Sequence, residues 1–513
     1  MANNTTHKKK GAEEEAQPAG EAQAAKLHLL RGFKDIFPAD QPYWDRLRSL
    51  AEEFSTAYGF HRMDTPLVEE TALFTRAVGD ATDIVEKEMF SFKDRGGDLV
   101  ALRPEGTSGV VRAYVEHGMV NLPQPVKLWY FGPMFRYDRP QAGRLRQFHQ
   151  WGLESLGEQH PAADAELLAV ATGFFRELGI PVVAQVNSIG CAQCRPGYVE
   201  ELTNYLKAHR TQLSEESRTR LGIAPLRVLD SKAEEDREVI ESAPQMVDWL
   251  CDSCKQHFIR VLEYLDEFEV SYALAPFLVR GLDYYTKTVF ELLPADVFEG
   301  GGPISSQAAL AAGGRYDALV EQLGGRPTPA TGIAFGIERI ITKYREAVAA
   351  GTAVAPSART LDVYMAQLGD QAKRKAMRLF DALRKEDFTV AAHFAKDALK
   401  AQLEHANRLQ AKLTLILGQK EVIDDTIIIR EMSSGIQEIV PFKRVRDEVR
   451  RRLAQEEVRE TVDESLKVAG EGEPSTGERR TTNDVLEEEE TEGEDDRGVE
   501  VPSEEPDANA DEE

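Results

Sequence analysis

Only four cysteines and four tryptophans occur among the 513 residues, and no apolar run reaches the roughly 20 residues that a membrane-crossing helix needs. Sparse cysteine excludes a disulfide-dense scaffold. The first 26 residues, which include HKKKGAEEEAQPAGEAQAA (7–25), lack the apolar core that a signal peptide requires. Together these absences predict a cytoplasmic protein with no membrane partner. Basic residues are scarce near the C-terminus. Residues 456–513 hold 24 acidic residues against 5 basic ones, which is −19 of the total charge of −26 and leaves −7 for residues 1–455. A negative balance concentrated there does not exclude nucleic acid as a partner of the rest. The stretches 1–26 and 459–513 lack the apolar residues that offset ordering entropy, so both are expected to be disordered.

What is present is enough for large cores: 42% of the residues are hydrophobic, and the length suits two or three domains. The cysteines fall into two pairs, Cys191-x-x-Cys194 and Cys251-x-x-Cys254, with 56 residues between the pairs. In a cytoplasmic chain that spacing suits a structural tetrahedral zinc site, though reduced, metal-free thiols fit it too. Trp44, Leu47, Ala51, Phe54 and Tyr58 recur at helical spacing, and 59–70 reads as a strand ending near Pro66. A strand leads through RPEGT (103–107) into a helix that Thr107 can cap. Two runs, 126–138 and one from Gln147 on, read as a hairpin. Residues 191–270 are charged, helical and read as an insertion. Residues 272–293 look strand-like, with a Gly-rich interruption at 300–303. A small-residue linker near 348–360 precedes alternating strands and helices, the pattern of a small α/β domain over 360–455. Its last helix, 442–453, offers Lys443, Arg444, Arg446, Arg450, Arg451 and Arg452, either to phosphates or simply to solvent.

The hairpin raises a chemical question. Alternation places Phe148, Gln150, Gly152 and Glu154 on one face, a poor core face but a good floor for a polar ligand. Gly152 leaves room for something to approach the backbone. Arg136, Arg139, Arg144 and Arg146 surround the tip, and clustered guanidiniums suit phosphate. Four further stretches resist a purely structural reading. Glu105 either receives a ligand ammonium group or faces a helix dipole. RGLDYYT (280–286) brings Arg280, Tyr284 and Tyr285 into a strand-like context. AAGGRYDALV (311–320) carries paired glycines, which either admit a ligand to the backbone or form a turn before a helix. TGIAFGIERI (331–340) reads as a Gly-spaced strand feeding a helix that carries Glu338 and Arg339.

Together these stretches resemble the histidyl-tRNA synthetases, a class II aminoacyl-tRNA synthetase family, over about 27–455. FRYDRPQAGRLRQFHQWGLE (135–154) resembles the second class motif and ATGIAFGIERI (330–340) the third. LVRGLDYYTKTVFE (278–291) and AAGGRYD (311–317) resemble motifs peculiar to the histidine-specific members. The acidic tail, the charged N-terminus and the cysteine pairs are outside the family's common pattern. The resemblance implies an α+β catalytic domain over 27–355, with an antiparallel sheet flanked by helices and an insertion at 191–270. An anticodon-binding domain would follow at 360–455. It also implies a homodimer built on the first class motif, the helix–strand stretch ending at Pro66. The implied reaction joins L-histidine and ATP, with Mg²⁺, into histidyl-adenylate and then charges a histidine tRNA. By the same resemblance Arg136 and Arg280 stabilise the reacting phosphate. Phe148 stacks on adenine, while Arg144 and Arg339 serve the nucleotide. Glu105, Gly106, Thr107 and Gln150 hold the amino acid's backbone, and Glu154, Tyr284 and Tyr285 belong to its side-chain pocket. The alternative is an inactive synthetase-like regulatory subunit of ATP phosphoribosyltransferase, which typically has degraded motifs and no anticodon domain.

Overall fold

A computed structural model of the chain describes residues 27–79, 82–138, 144–299, 308–357, 361–395 and 398–456. The expectations for 1–26, for the acidic tail at 459–513, for the hairpin tip with Arg139 and for the Gly-rich stretch at 300–303 lie outside the described residues. The chain divides into two units between Arg359 and Thr360.

The first unit is built on an eight-stranded sheet. In chain order its strands are β1 (His61–Arg62), β5 (Val126–Phe135), β6 (Gln147–Leu156), β7 (Val182–Ser188), β8 (Tyr272–Leu274), β9 (Thr286–Pro294), β10 (Ala311–Arg315) and β11 (Ala330–Gly336). The intervening β2 (Val68–Glu70), β3 (Ser91–Lys93) and β4 (Leu99–Leu102) form a separate three-stranded sheet. The large sheet runs β1-β5-β6-β11-β10-β9-β7-β8. Its six central strands pair antiparallel, and the short edge strands β1 and β8 pair parallel. Pro133 is tolerated inside β5 because β1 pairs only with Leu128 and Trp129, so no ladder bond is lost on that side.

Side-chain alternation gives the sheet two chemically different faces. Trp151, Leu153, Phe290, Leu292, Ile333 and Phe335 point to one side and join a core with the helices Gln41–Ala57, Ala162–Glu177, Asp252–Glu267 and Ile337–Ala349. Trp151 stacks on Phe335 with ring centroids 4.1 Å apart. At the end of β10 the wholly buried Arg315 donates to Asp164 Oδ2 at 3.1 Å and to the Glu158 carbonyl at 2.8 Å. His257 Nε2 lies 2.9 Å from the same carboxylate. Burial opposes ionisation of Asp164, but Arg315 and His257 outweigh it and hold the carboxyl below its usual range. One ion cluster therefore ties β10 to two core helices.

Several local expectations need correction. The stretch after Tyr58 is not one strand but the two-residue β1 and, beyond Pro66, β2 in the small sheet. Residues 275–285 are irregular, so Arg280, Tyr284 and Tyr285 sit on a loop between β8 and β9 rather than on a strand. The paired glycines at 313 and 314 lie inside β10, not in a turn. A Cβ at Gly313 would collide with the Gly332 carbonyl, so close strand packing explains that glycine. Between Cys191 and Cys254 the chain builds a small core of its own around Tyr198, Leu202, Val228 and Val239. The helix Asp252–Glu267 is shared: Cys254 packs in that small core, and Phe258, Val261 and Leu265 pack against the sheet.

The second unit is a five-stranded mixed sheet over Val363–Pro441, ordered Val390–Ala392, Val363–Gln367, Leu413–Leu417, Thr426–Glu431, Gln437–Pro441. Helices Asp370–Arg384 and Leu399–Arg408 separate the first three strands in sequence. A 3-10 turn at Phe442–Arg444 leads into helix from 445 to 456. Of its arginines, Arg446 and Arg450 pair with Glu386, Arg451 pairs with Glu448, and the buried Arg452 binds Glu431, Glu438 and Glu448. The free basic helix face expected from sequence is thus largely engaged within its own unit.

Removing the centre of a buried ion cluster strands its partners in low dielectric. Asp164→Ala is expected to lower unfolding free energy by about 3–5 kcal/mol, measured by urea denaturation of the full chain.

Candidate active site

On the face opposite Trp151 the sheet is floored by small residues. Gly332, Ala334 and Gly336 of β11 lie across from Glu154, Gly152 and Gln150 of β6, and Ala312 of β10 continues the row. Large side chains here would fill the space; instead a cleft of about 930 Å³ opens above the sheet. Glu105, Thr107, Arg136, Arg144, Phe148, Gln150, Arg280, Tyr284, Tyr285 and Arg339 all line it. Arg146 does not belong with them. It turns to the Tyr137 ring at 3.6 Å and donates to the Arg31 and Asp138 carbonyls. Gly313 and Gly314 do not line the cleft either, and the expected Gly106 and Glu154 lie behind its lining, Glu154 beneath Thr107, Tyr316 and Gly332.

At one end a helix N-terminus meets buried carboxyls. Thr107 does not cap its helix, because Gly106 is the N-cap residue and no side chain caps from there. Glu105 does the work instead: its oxygens accept from Thr107 N at 2.7 Å and Ser108 N at 2.9 Å, and from the Ser108 hydroxyl. The Thr107 hydroxyl donates to Glu154 Oε1 at 2.6 Å, and the Tyr316 hydroxyl donates to Glu154 Oε2. Gly106 and Gly152 are explained by Tyr130, whose ring occupies the space where a Cβ at either position would be. The approach that Gly152 allows is therefore that of a phenol. Gly332 likewise makes room for the Glu154 carboxyl.

Glu154 is 1% exposed. Desolvation pushes its pKa up to about 8, assisted by the nearby Glu105 and opposed by the hydroxyls of Thr107 and Tyr316. Burial also raises the phenols of Tyr130, Tyr284 and Tyr316 well above their ordinary range, so they stay protonated as donors. The Gln150 Oε1 atom is buried with no hydrogen-bond partner among the described residues, which marks it as an acceptor in want of a donor.

At the other end the cleft is cationic. Arg136 is fixed by its Nε–Pro104 carbonyl bond at 2.8 Å and lies 5.3 Å from the Phe148 ring centroid. Arg144 pairs with Asp138 at 2.6 Å, and Arg339 donates to the Ala309 carbonyl at 3.1 Å. Desolvation, then repulsion from Arg144 and Arg136, lowers the pKa of Arg339. Guanidiniums clustered in this way are arranged to receive an anion. Facing them, Arg280 pairs with Glu291, while its buried Nε has no partner among the described residues. Glu338 is pinned to β6, accepting from His149 N at 2.9 Å with His149 Nδ1 at 2.8 Å.

The Histidyl-tRNA synthetase family model matches residues 32–340, and the Anticodon binding domain model matches residues 362–452. A histidine–tRNA ligase of Dehalococcoides mccartyi is 43% identical over 425 residues, 82% of this chain and 99% of that protein. Its counterpart in Natranaerobius thermophilus is 42% identical over 422 residues, 82% of this chain and 98% of that protein. The chain belongs to the histidyl-tRNA synthetase family. Among solved structures, apo S. aureus histidyl-tRNA synthetase aligns with a TM-score of 0.68 at 33% identity, covering 83% of this chain and 100% of that one.

Sequence reasoning missed several residues of this synthetase cleft. Tyr130, Tyr316 and Glu291 each touch a residue it singled out; Tyr130 sits between Trp129 and Phe131 with no local signal, whereas Tyr316 and Glu291 lie inside the motif stretches 311–317 and 278–291 but were given no role there. Only alternation hinted at Glu291, which lies across from Ala312 on the floor face. The cysteines do come together. All four Sγ atoms lie within 4.8 Å of one another, with Cys191 Sγ 3.7 Å from Cys194 Sγ and 3.9 Å from Cys251 Sγ.

A carboxyl whose pKa rises on folding contributes stability below its unfolded value and loses it as pH climbs through the folded value. For Glu154 that window runs from about 4.5 to about 8. The Tm advantage of the wild type over Glu154→Gln should therefore shrink between about pH 5 and about pH 8 and level off above that, as followed by differential scanning fluorimetry. An unchanged difference would contradict the protonated, buried carboxyl.

Proposed function

We infer that the cleft activates L-histidine with ATP, giving histidyl-adenylate and pyrophosphate, and then passes the histidyl group to the 3′ end of its tRNA. The chain is thus an ATP-dependent aminoacyl-tRNA ligase. The observation that carries the residue assignments is the juxtaposition of two unlike ends on one small-residue floor. One end gathers the guanidiniums of Arg136, Arg144, Arg280 and Arg339; the other is a pocket of carboxyls, an orphan amide oxygen and phenols. Two substrates that must react are thereby laid along one strand, which supplies much of the rate enhancement through orientation.

In this reading Arg136 and Arg280 approach the α-phosphate from opposite sides and meet charge that grows on its oxygens as the histidine carboxylate attacks. Glu291 keeps Arg280 aimed. Phe148 stacks on adenine; Arg339 and Arg144 serve the distal phosphates. Glu105, Thr107 and the Gln150 oxygen receive the α-ammonium at Gly106's turn. Glu154 recognises the imidazole with Tyr284 and Tyr285, and a carboxyl poised near neutrality suits a group whose own proton exchanges in that range. Mg²⁺ fits the hard oxygen donors of Glu88 and Asp138, which line the cleft beside the arginines; bound with the nucleotide it would neutralise pyrophosphate charge. The four thiols would hold a structural zinc ion. With zinc–sulfur bonds of about 2.3 Å, a tetrahedral site needs sulfurs about 3.8 Å apart, and the 3.7 and 3.9 Å separations match. The unit after residue 360 would meet the anticodon.

We place the enzyme in the cytoplasm; no helix among the described residues is long and apolar enough to cross a membrane. A homodimer is supported by the small sheet, where Val68 and Phe92, 42% and 46% exposed, share a face with Val100 and Leu102. The regulatory-subunit alternative is disfavoured by 43% identity to histidine–tRNA ligases and by the anticodon-domain match.

Exchange of labelled pyrophosphate into ATP, tested with each amino acid singly, should occur with histidine alone. Arg280→Ala should lower its kcat by about 10²–10³ with a smaller change in KM; equal exchange by the variant removes Arg280 from the chemistry. Light scattering should show a dimer that Phe92→Glu dissociates.

A further inference from the structure

Cys194 closes the four-thiol cluster and is followed directly by Arg195, the first residue of the helix Arg195–Ala208. That guanidinium donates to the Ile189 carbonyl at 3.0 Å, the Gly190 carbonyl at 3.2 Å and the Tyr285 carbonyl at 2.6 Å. Tyr285 lines the cleft, and its loop has little regular structure of its own. The segment from Cys191 to Cys254 grips that loop a second time, through Arg227, which reaches the Gly281 carbonyl and Asp283 Oδ1, each at 3.2 Å.

The cluster sits where this grip originates. Within it, Cys191 N donates to Cys194 Sγ at 3.2 Å and Gln193 N to Cys191 Sγ at 3.4 Å, a backbone turn wrapped around sulfur. The other pair opens the helix Asp252–Glu267, whose later turns are anchored in the sheet's core. A metal joining the four sulfurs would therefore clamp the first turn of the Arg195 helix to an element that cannot move. Without it, Arg195 would be oriented only from within its own stretch of chain, by the bond from its backbone N to the Cys191 carbonyl at 2.9 Å, by its side-chain bonds to the Ile189 and Gly190 carbonyls and by weak N–H···S bonds.

We propose that the four-cysteine site is a positioning device for amino-acid recognition: metal bound there fixes Arg195, and Arg195 fixes the backbone of Tyr285. Arg195 is a positioning residue, since it touches the recognising tyrosine and not the substrate. The proposal rests on the zinc reading and on Tyr285 as an imidazole contact. Its consequence is selective. Of the arginines assigned to ATP, Arg136, Arg144 and Arg339 stand just after β5, in the β5–β6 hairpin and on the helix Ile337–Ala349, outside the gripped loop. Arg280 stands on that loop but meets charge that grows only in the transition state, so the metal site should affect histidine affinity and kcat and leave ATP affinity unchanged.

The test uses the full chain purified under reducing conditions, with metal content by elemental analysis and pyrophosphate exchange titrated separately in histidine and ATP. Wild type should carry zinc. Arg195→Ala should keep it, yet raise KM for histidine about tenfold, the scale of a charge-assisted hydrogen bond, with KM for ATP changed by less than about twofold. Arg195→Lys, which keeps charge and one donor direction, should recover part of the loss. Cys251→Ser should lose zinc and show the same histidine-selective defect. Zinc-free, fully active wild type would overturn the proposal at its metal. Zinc lost from Cys251→Ser with histidine KM unchanged, or equal rises in both KM values for Arg195→Ala, would overturn the coupling while leaving the metal site standing. No histidine-dependent exchange by the wild type would instead sink the activation reading beneath it.

Discussion

Trp151 stacked on Phe335 below the sheet, and Gly152 beside Ala334 above it, belong to the same two strands one residue apart. That alternation is the constraint on which the molecule depends. Aromatic rings on one face bury enough apolar area against four helices to anchor the sheet. On the upper face Leu128, Tyr130, Met134 and Leu156 pack with Val110, Val111 and Tyr114 in a second core; beside it, where β6, β11 and β10 are anchored from below, the upper face can be given to glycine, alanine and polar groups without loss of the fold. A one-residue slip of β6 would turn Trp151 into the cleft and Glu154 into the core, so register and function are protected by the same packing.

The cleft is electrostatically unfavourable when empty. Burial and then the nearby Arg144 and Arg136 disfavour the charge of Arg339, and Glu154 is buried with a carboxyl that resists ionisation. Charged groups around the cleft are held in place by bonds to the backbone: Arg136 to the Pro104 carbonyl, Arg339 to the Ala309 carbonyl, Glu338 to the β6 backbone. A preorganised field of this kind needs no rearrangement when substrate charge arrives, which is where electrostatic catalysis gains over water. The Asp164–Arg315–His257 cluster plays the complementary part below the sheet, where a carboxylate and a guanidinium meet and stabilise each other.

Much of this was legible in the residues. The hairpin, the polar face of β6, the strand-to-helix passage at Gly336 and the α/β pattern of the second unit all follow from local periodicity. The motifs then led to the family that the comparisons show. Errors fell where local signals are ambiguous. An apolar run from Tyr272 to Leu293 looks like one strand, although its middle is a loop held by distant donors, among them Asn187 to the Pro276 and Leu278 carbonyls. Two adjacent glycines look like a turn when the reason for one of them is a neighbouring strand's carbonyl.

What the sequence determined by itself is the alternation of strands, the grouping of arginines, and the pairing of cysteines by spacing, because each depends on residues a few positions apart. What only the tertiary structure decided is which distant groups meet. Glu338 and His149 are 189 residues apart in the chain, Tyr316 and Glu154 162 apart. Their contacts set which carboxyl stays protonated, which arginine is aimed and which phenol fills the gap over Gly152. No periodic pattern encodes such meetings; they follow from strand order and from the packing that puts β11 beside β6.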